Sequence, residues 1–521
     1  MNKLKKSMTW IAPILIVIIG IVILFNENYQ EVTEAPSEGW SREIQLGSTP
    51  NASEPSLSTT EDGDYSVSFI TNDGAKQLIF DPTFEIVSDE NFDIKVDKFT
   101  EIYLNGDVFL YSDYYAMYNG NTGEKITDIQ DFYPLKDQVF YRQDNRIYQL
   151  HTDTMESEEI INVENEKTEV LIQQTEDQTH IATNNIDQSG NHLTFYKVKD
   201  GSVSEMGTTD FTINAIEEIK DIQFALNGSE YALLVQTFQK QSMAGKIQNY
   251  YYYDESNFNE ALELGRVEFM DPASSMELKE ISDVEMNYTP QGGELLFKAF
   301  GSTKSMFQES AQFNVYEAKL TEGTAPDVRR LSNTPKSSLE PAWLTKDTVI
   351  WVDRASDGEN NILASSSRPE IIDKAATMTM PVFLQALGKT MGMFSTGLFA
   401  IVVSMIWFIW PLLFLCVVMF TNSKAMDNDR PWVFYAGAFI YLGAATIFND
   451  FMFGTNGMAS APDYLVFPGS SYIYLIGFAI LSFAILQAGT SIRKWSPAVE
   501  LSYFIAIHVI CITMFFGPYL L

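Results

Sequence analysis

Cysteine is nearly missing. Cys416 and Cys511 are the only two in 521 residues, too few for a disulfide framework, a thiolate zinc site or an iron–sulfur centre. Bases are also scarce, 34 against 68 acids, for a formal net charge of −34. That balance argues against a nucleic-acid partner, because a phosphate backbone is met by clustered Lys and Arg. The sequence contains no H-E-x-x-H pair, no G-x-x-x-x-G-K-[ST] phosphate loop and no G-x-S-x-G nucleophile elbow. Nothing nominates a nucleophile, so the expectation is a protein that is not an enzyme and carries no cofactor.

The charge is partitioned. Residues 1–25 hold Lys3, Lys5 and Lys6 and no acid. Residues 381–521 balance five acids against five bases, which leaves 63 acids and 26 bases in 26–380. The two less acidic ends are hydrophobic. Crossing a hydrocarbon core takes roughly 20 apolar residues of helix. Thr9–Phe25 is such a run behind a basic start, and no small-residue cleavage site follows it. It reads as a retained anchor. Four further candidates are Met391–Phe420, Trp432–Met452, Leu465–Gly489 and Ala498–Leu521. Lys424 and Arg430 follow the first of these, and Arg493 and Lys494 follow the third, whereas Phe453–Tyr464 has neither Lys nor Arg. The positive-inside bias then makes the N-terminus cytoplasmic and places 26–390 and the C-terminus outside.

Six segments follow from this partition. They are a cytoplasmic N-terminus (1–8), an anchor (9–25), a flexible Glu/Ser/Thr/Pro-rich stalk (26–64), an all-β domain (65–368), a juxtamembrane connector (369–390) and a four-helix membrane domain (391–521). Within the β part, short alternating runs are punctuated by Asn-Gly, Asp-Gly and Gly-Gly, the pattern of strands and hairpins.

Internal repetition separates the β architectures. Val108-Phe109-Leu110-Tyr111 returns as Val139-Phe140-Tyr141-Arg142, 31 residues on. An aromatic, a turn and an apolar strand recur at Phe224–Val235 and Tyr288–Phe297. Leu331-Ser332-Asn333-Thr334, Pro341-Ala342-Trp343, Val349–Arg354 and Asp357–Ile362 give the fullest copy. This copy resembles the TolB-type β-propeller repeat, although Leu344-Thr345-Lys346-Asp347 lacks that family's proline and glycine. The resemblance implies a propeller and a protein-interaction platform, and at ~40–45 residues per four-stranded blade about 300 residues make six or seven blades. Two packed β-sandwiches are the alternative architecture.

Two groups of residues carry possible chemistry. Asp353, Asp357, Glu359 and Asn361 surround Gly358, and an oxygen-rich turn suits calcium, although the spacing is not that of an EF-hand. His508, with Asn449 and Asp450, supplies polar groups inside apolar spans, where such groups are costly and deserve a functional question. The combined expectation is a bacterial multi-pass membrane protein. Its outer propeller binds a protein or peptide, as an accessory or scaffold subunit beside a membrane-protein partner. The alternatives are a transporter component or a ligand sensor built on the helical part.

Overall fold

In the computed structural model the described residues are 2–174, 178–188, 190–199, 201–240, 247–258, 260, 262–274, 276–302, 311–321, 326–334, 336–354, 358–454, 458, 461–490 and 495–520. They form two units, Glu34–Thr377 on the one hand and Met1–Thr33 with Met378–Leu521 on the other.

The first unit is a seven-bladed β-propeller. Its opening strand, β1 (Ile44–Thr49), belongs to the last blade. Blade 1 comprises β2 (Ser56–Thr59), β3 (Tyr65–Thr71), β4 (Gly74–Phe80) and β5 (Ile86–Phe92). Blade 2 comprises β6 (Glu101–Asn105), β7 (Val108–Ser112), β8 (Ala116–Asn119) and β9 (Lys125–Asp128). Blade 3 comprises β10 (Asp131–Pro134), β11 (Val139–Gln143), β12 (Arg146–His151) and β13 (Glu156–Asn162). Blade 4 comprises β14 (Glu169–Gln174), β15 (Thr179–Ile186), β16 (Asn191–Lys199) and β17 (Ser202–Phe211). Blade 5 comprises β18 (Glu218–Asn227), β19 (Glu230–Lys240), β20 (Ile247–Asn257) and β21 (Gly265–Val267). Blade 6 comprises β22 (Lys279–Thr289), β23 (Gly292–Ser302), β24 (Ala311–Leu320) and β25 (Asp327–Arg330). Blade 7 comprises β26 (Ser338–Thr345), β27 (Thr348–Asp353) and β28 (Asn360–Ser366), with β1 paired antiparallel outside β28. Each blade runs antiparallel from the axis outward, and the first chain strand closes the ring on the last blade.

The repeats seen in the sequence are equivalent strands. Val108–Tyr111 and Val139–Arg142 lie on the second strands of blades 2 and 3. Each places a tyrosine opposite another on the third strand. Tyr111 stacks on Tyr118 at 5.0 Å and Tyr141 on Tyr148 at 5.2 Å. Such cross-strand aromatic pairs stabilise a sheet by some tenths of a kcal/mol up to ~1. Blades pack through buried second-strand residues such as Leu110, Phe140, Ile181, Leu233, Phe297 and Ile350, because one four-stranded sheet cannot cover both its faces alone.

The flexible stalk expected over 26–64 is corrected. Its first residues continue a helix to Val32, and its later ones form β1 and β2. Trp40 and Leu46 are buried, Trp40 against Leu331 and Trp351. A polar composition resembled disorder because the partner that orders β1 lies about 310 residues downstream in β28.

The second unit is helical. Its helices are α1 (Asn2–Val32), α3 (Met380–Gly397), α4 (Phe399–Val403), α5 (Met405–Thr421), α6 (Ser423–Asp427), α7 (Pro431–Ile447), α8 (Asp450–Phe453), α9 (Ser470–Thr490) and α10 (Pro497–Phe515); α2 (Pro369–Ala375) belongs to the propeller unit. Among the described residues four segments are long and apolar enough to cross a membrane: Trp10–Val32, Met380–Thr421, Ser470–Gly489 and Pro497–Phe515. Helix α7 is a shorter apolar one. The segment expected to begin at Met391 is helical from Met380 and interrupted at Leu398 and Ser404.

Helix α1 is a full member of this bundle. Asn28 Nδ2 donates to Thr390 Oγ1 at 3.0 Å and Lys389 Nζ lies 2.5 Å from Glu31 Oε2. The hydroxyls of Tyr464 and Tyr519 both donate to the Glu27 carboxylate. A Cβ on Gly20 would lie 2.9 Å from Met514, so α1 approaches α10 closely.

Candidate functional site

The innermost strands β2, β6, β10, β14, β18, β22 and β26 all border one cavity of about 810 Å³ on the propeller axis. Its wall includes Glu54, Glu101, Glu285 and Glu340, with Lys136, Tyr133 and Trp343 among them. Trp343 comes from the sequence copy that resembles the TolB-type repeat, so that motif reaches the axis.

Local backbone irregularity accompanies two of these acids, Glu285 and Glu340. Strand β22 breaks register between Ser282 and Glu285, and β26 between Leu339 and Ala342. Asp283 (φ 50°) and Glu340 (φ 46°) sit in the left-handed region at these bulges. A bulge redirects side chains and frees backbone donors, and strain of this kind clusters at functional sites. Here the freed donors are taken by the neighbouring blade. Trp343 N donates to Glu285 Oε2 at 2.9 Å, and Glu340 N to Asp283 Oδ2 at 3.3 Å. Asp283 is also bound by Lys298 at 2.6 Å.

The acids line one space and differ in exposure, Glu54 and Glu101 being exposed and Glu285 and Glu340 half-buried. Glu54 is exposed to the cavity, with the other blades' inner strands around it. Burial first, then the carboxylates of Glu285, Glu340, Asp283 and Glu101, hold its carboxyl well above the usual range. Burial raises Glu285 too, against the Trp343 N–H and Lys136, which favour its ionised form. Glu340 is pushed up to about 7 by burial and then by Asp283, with Lys298 opposing. Glu101 is raised by burial and by Asp131. Desolvation and like charge both disfavour ionisation, and the opposite charge of a bound cation would work against them. Gln173 and Gln174 add buried Oε1 atoms that have no donor among the described residues. The arrangement suits a positively charged group. None of these acids was singled out from the sequence, and alternating strand patterns carried no signal for them. Only their place on or just before the first strands of four blades, known once the blades are counted, would have found them.

The oxygen-rich turn expected to suit calcium is divided by the fold. Asp353 is 3 % exposed, and its Oδ1 accepts from Ser338 Oγ and Trp351 Nε1, both at 2.9 Å. Burial, opposed by those donors, pushes its carboxyl up to about 7. Asn361 accepts from Gln45 at 3.1 Å, Glu359 is exposed, and Asp357 lies outside the described residues. Among the described residues no three His, Cys, Asp or Glu side chains are grouped to hold a metal.

His508 is fully buried in the bundle. Its Nε2 is 3.0 Å from the Leu475 carbonyl and its Nδ1 is 2.9 Å from Tyr441 Oη. A carbonyl only accepts, so Nε2 carries the proton and Nδ1 accepts from the tyrosine. Both ring nitrogens are thereby engaged in joining α7, α9 and α10. Asn449 is buried just before α8, and Asp450 is exposed in its first turn.

No family model matches the chain, and no curated protein matches its sequence. Solved structures similar to it include the Pan2 WD40 domain of Neurospora crassa, at 10 % identity over 64 % of this chain and 98 % of that one, with a TM-score of 0.37. The GH93 α-L-arabinofuranosidase of Fusarium graminearum is 11 % identical over 63 % and 97 %, with a TM-score of 0.30. An oligogalacturonate lyase is 11 % identical over 63 % and 94 %, with a TM-score of 0.34. The blade count rests on the strand order of the chain itself.

Proposed function

We propose that the chain is a non-enzymatic, multi-pass membrane protein whose propeller stands outside the cell and binds a protein or peptide as a scaffold subunit. The observation that carries this reading is the axial cavity, where Glu54, Glu101, Glu285 and Glu340 converge beside Tyr133 and Trp343. Carboxylates with adjacent aromatic faces receive a lysine or arginine side chain by charge and cation–π attraction. The helical unit anchors the scaffold, with crossings by α1, α5, α7, α9 and α10 and a cytoplasmic N-terminus. The internal contacts support this topology. Glu27 meets Tyr464 and Tyr519, and Phe453 meets Phe516 at one end; Phe414 meets Trp432 at the other, next to the connection that holds Lys424 and Arg430.

Titration of the detergent-solubilised full chain with an acetylated tetralysine peptide tests the cavity by calorimetry. The reading expects saturable binding, tighter at pH 8.5 than at pH 6, and weakened about tenfold or more by the combined Glu54→Gln, Glu285→Gln and Glu340→Gln substitutions. Binding that ignores these substitutions contradicts it.

A further inference from the structure

The seven outermost strands differ in one respect. Six of them carry charged residues, for example Asp89 and Glu90 in β5, Lys125 and Asp128 in β9, and Arg266 in β21. Strands β13, β17 and β25 do likewise. Strand β1, Ile-Gln-Leu-Gly-Ser-Thr, carries none. An edge strand offers unpaired backbone N–H and C=O groups, and charges there discourage addition of another strand. That protection is missing only where the ring closes.

A groove of about 1020 Å³ adjoins the same strand, between β1 and blade 1. Leu46, Phe69 and Leu78 contribute apolar floor, and Ile86, 59 % exposed, stands on its wall. Gly47 lies at the β1 bulge, directly over the Phe69 ring, where a Cβ would come within 2.7 Å of Phe69 Cζ. The rim is acidic. It holds Asp73, Asp93 and Glu359, all exposed, and Asp89, which is paired with Lys76 at 2.9 Å. Lys76 is the one base lining the groove among the described residues.

We infer that β1 is a docking edge for an extended peptide that alternates aliphatic and basic residues. Its backbone would add to the free edge of β1. Every second side chain, Lys or Arg, would face the groove, its methylene stem along the apolar floor and its charged head at Asp73, Asp93 and Glu359, and the intervening aliphatic side chains would point to the other face. Strand addition supplies affinity through main-chain hydrogen bonds, and the alternate side chains supply selectivity. This site is separate from the axial cavity and does not depend on it.

A fluorescein-labelled Val-Lys octapeptide, titrated against the full chain in detergent by anisotropy, tests the inference, with hydrogen exchange read at Ile44–Thr49. Saturable binding, slowed exchange in β1 and at least a tenfold loss on Asp73→Asn, Asp93→Asn and Glu359→Gln together are expected. The titration is run on the Glu54→Gln, Glu285→Gln, Glu340→Gln background, where lysine capture by the axial cavity does not contribute, so failure here is distinct from failure of the cavity reading. A Val-Glu octapeptide binding equally well overturns the inference. So does probe binding without protection of β1. Protection of β1 that grows with protein concentration in the absence of peptide overturns it in favour of pairing between copies of the chain.

Discussion

The imidazole of His508 and the phenol of Tyr441 meet at 2.9 Å, with their rings at 90°, in the buried centre of the helical unit. With the Leu475 carbonyl on the other nitrogen, this pair ties three helices at one point. Tyr441→Phe removes one donor and leaves Nδ1 unpaired, at a cost of about 1 kcal/mol for such bonds within a helical bundle. His508→Ala removes both bonds and leaves a cavity, so it should cost more. Cys511 is buried one turn beyond, and the rate of its alkylation during heating in detergent reports the order: His508→Ala fastest, then Tyr441→Phe, then the parent.

Ring closure gives a second prediction. Leu46 is buried in the core shared by blades 7 and 1. Leu46→Ala should cost about 3 kcal/mol, in the range for buried leucines, and lower the urea midpoint of the propeller transition. A substitution at exposed Gln45 should leave that midpoint in place.

Acids whose carboxyls are raised in the folded state make stability fall with rising pH. For Glu340 and Asp353 the folded state holds a proton that the unfolded chain has already released above its ordinary pKa. Their contribution is complete below about pH 4 and is lost as pH climbs through about 7. Glu54 and Glu285 act in the same direction. Denaturation midpoints of the propeller should therefore drop between pH 6 and 8.5. Glu285→Gln with Glu340→Gln should flatten that slope and raise the midpoint at pH 8.5. A midpoint that rises over the same interval would contradict the cavity electrostatics.

Much of the fold was legible because its signals are local. Apolar runs marked the helices, and the copies at Val108 and Val139 marked equivalent strands whose tyrosines stack identically. What escaped was non-local. Strand β1 looked like a stalk because its order comes from β28. Asp353 and Glu359 looked like neighbours in one turn, but Asp353 ends β27 with its carboxylate in the core and Glu359 lies exposed just before β28. The axial acids come from four different blades and meet only when the ring closes. No window along the chain contains them together.

Partner capture from intact membranes tests the central claim most directly. Tagged full-length chain and its Glu54→Gln, Glu285→Gln, Glu340→Gln variant are each cross-linked, solubilised and purified, and the bound proteins are quantified. The account predicts a stoichiometric partner on the parent, cross-linked through lysines near the axial cavity and lost from the variant. An identical set of bound proteins on both, or none on either, would contradict it.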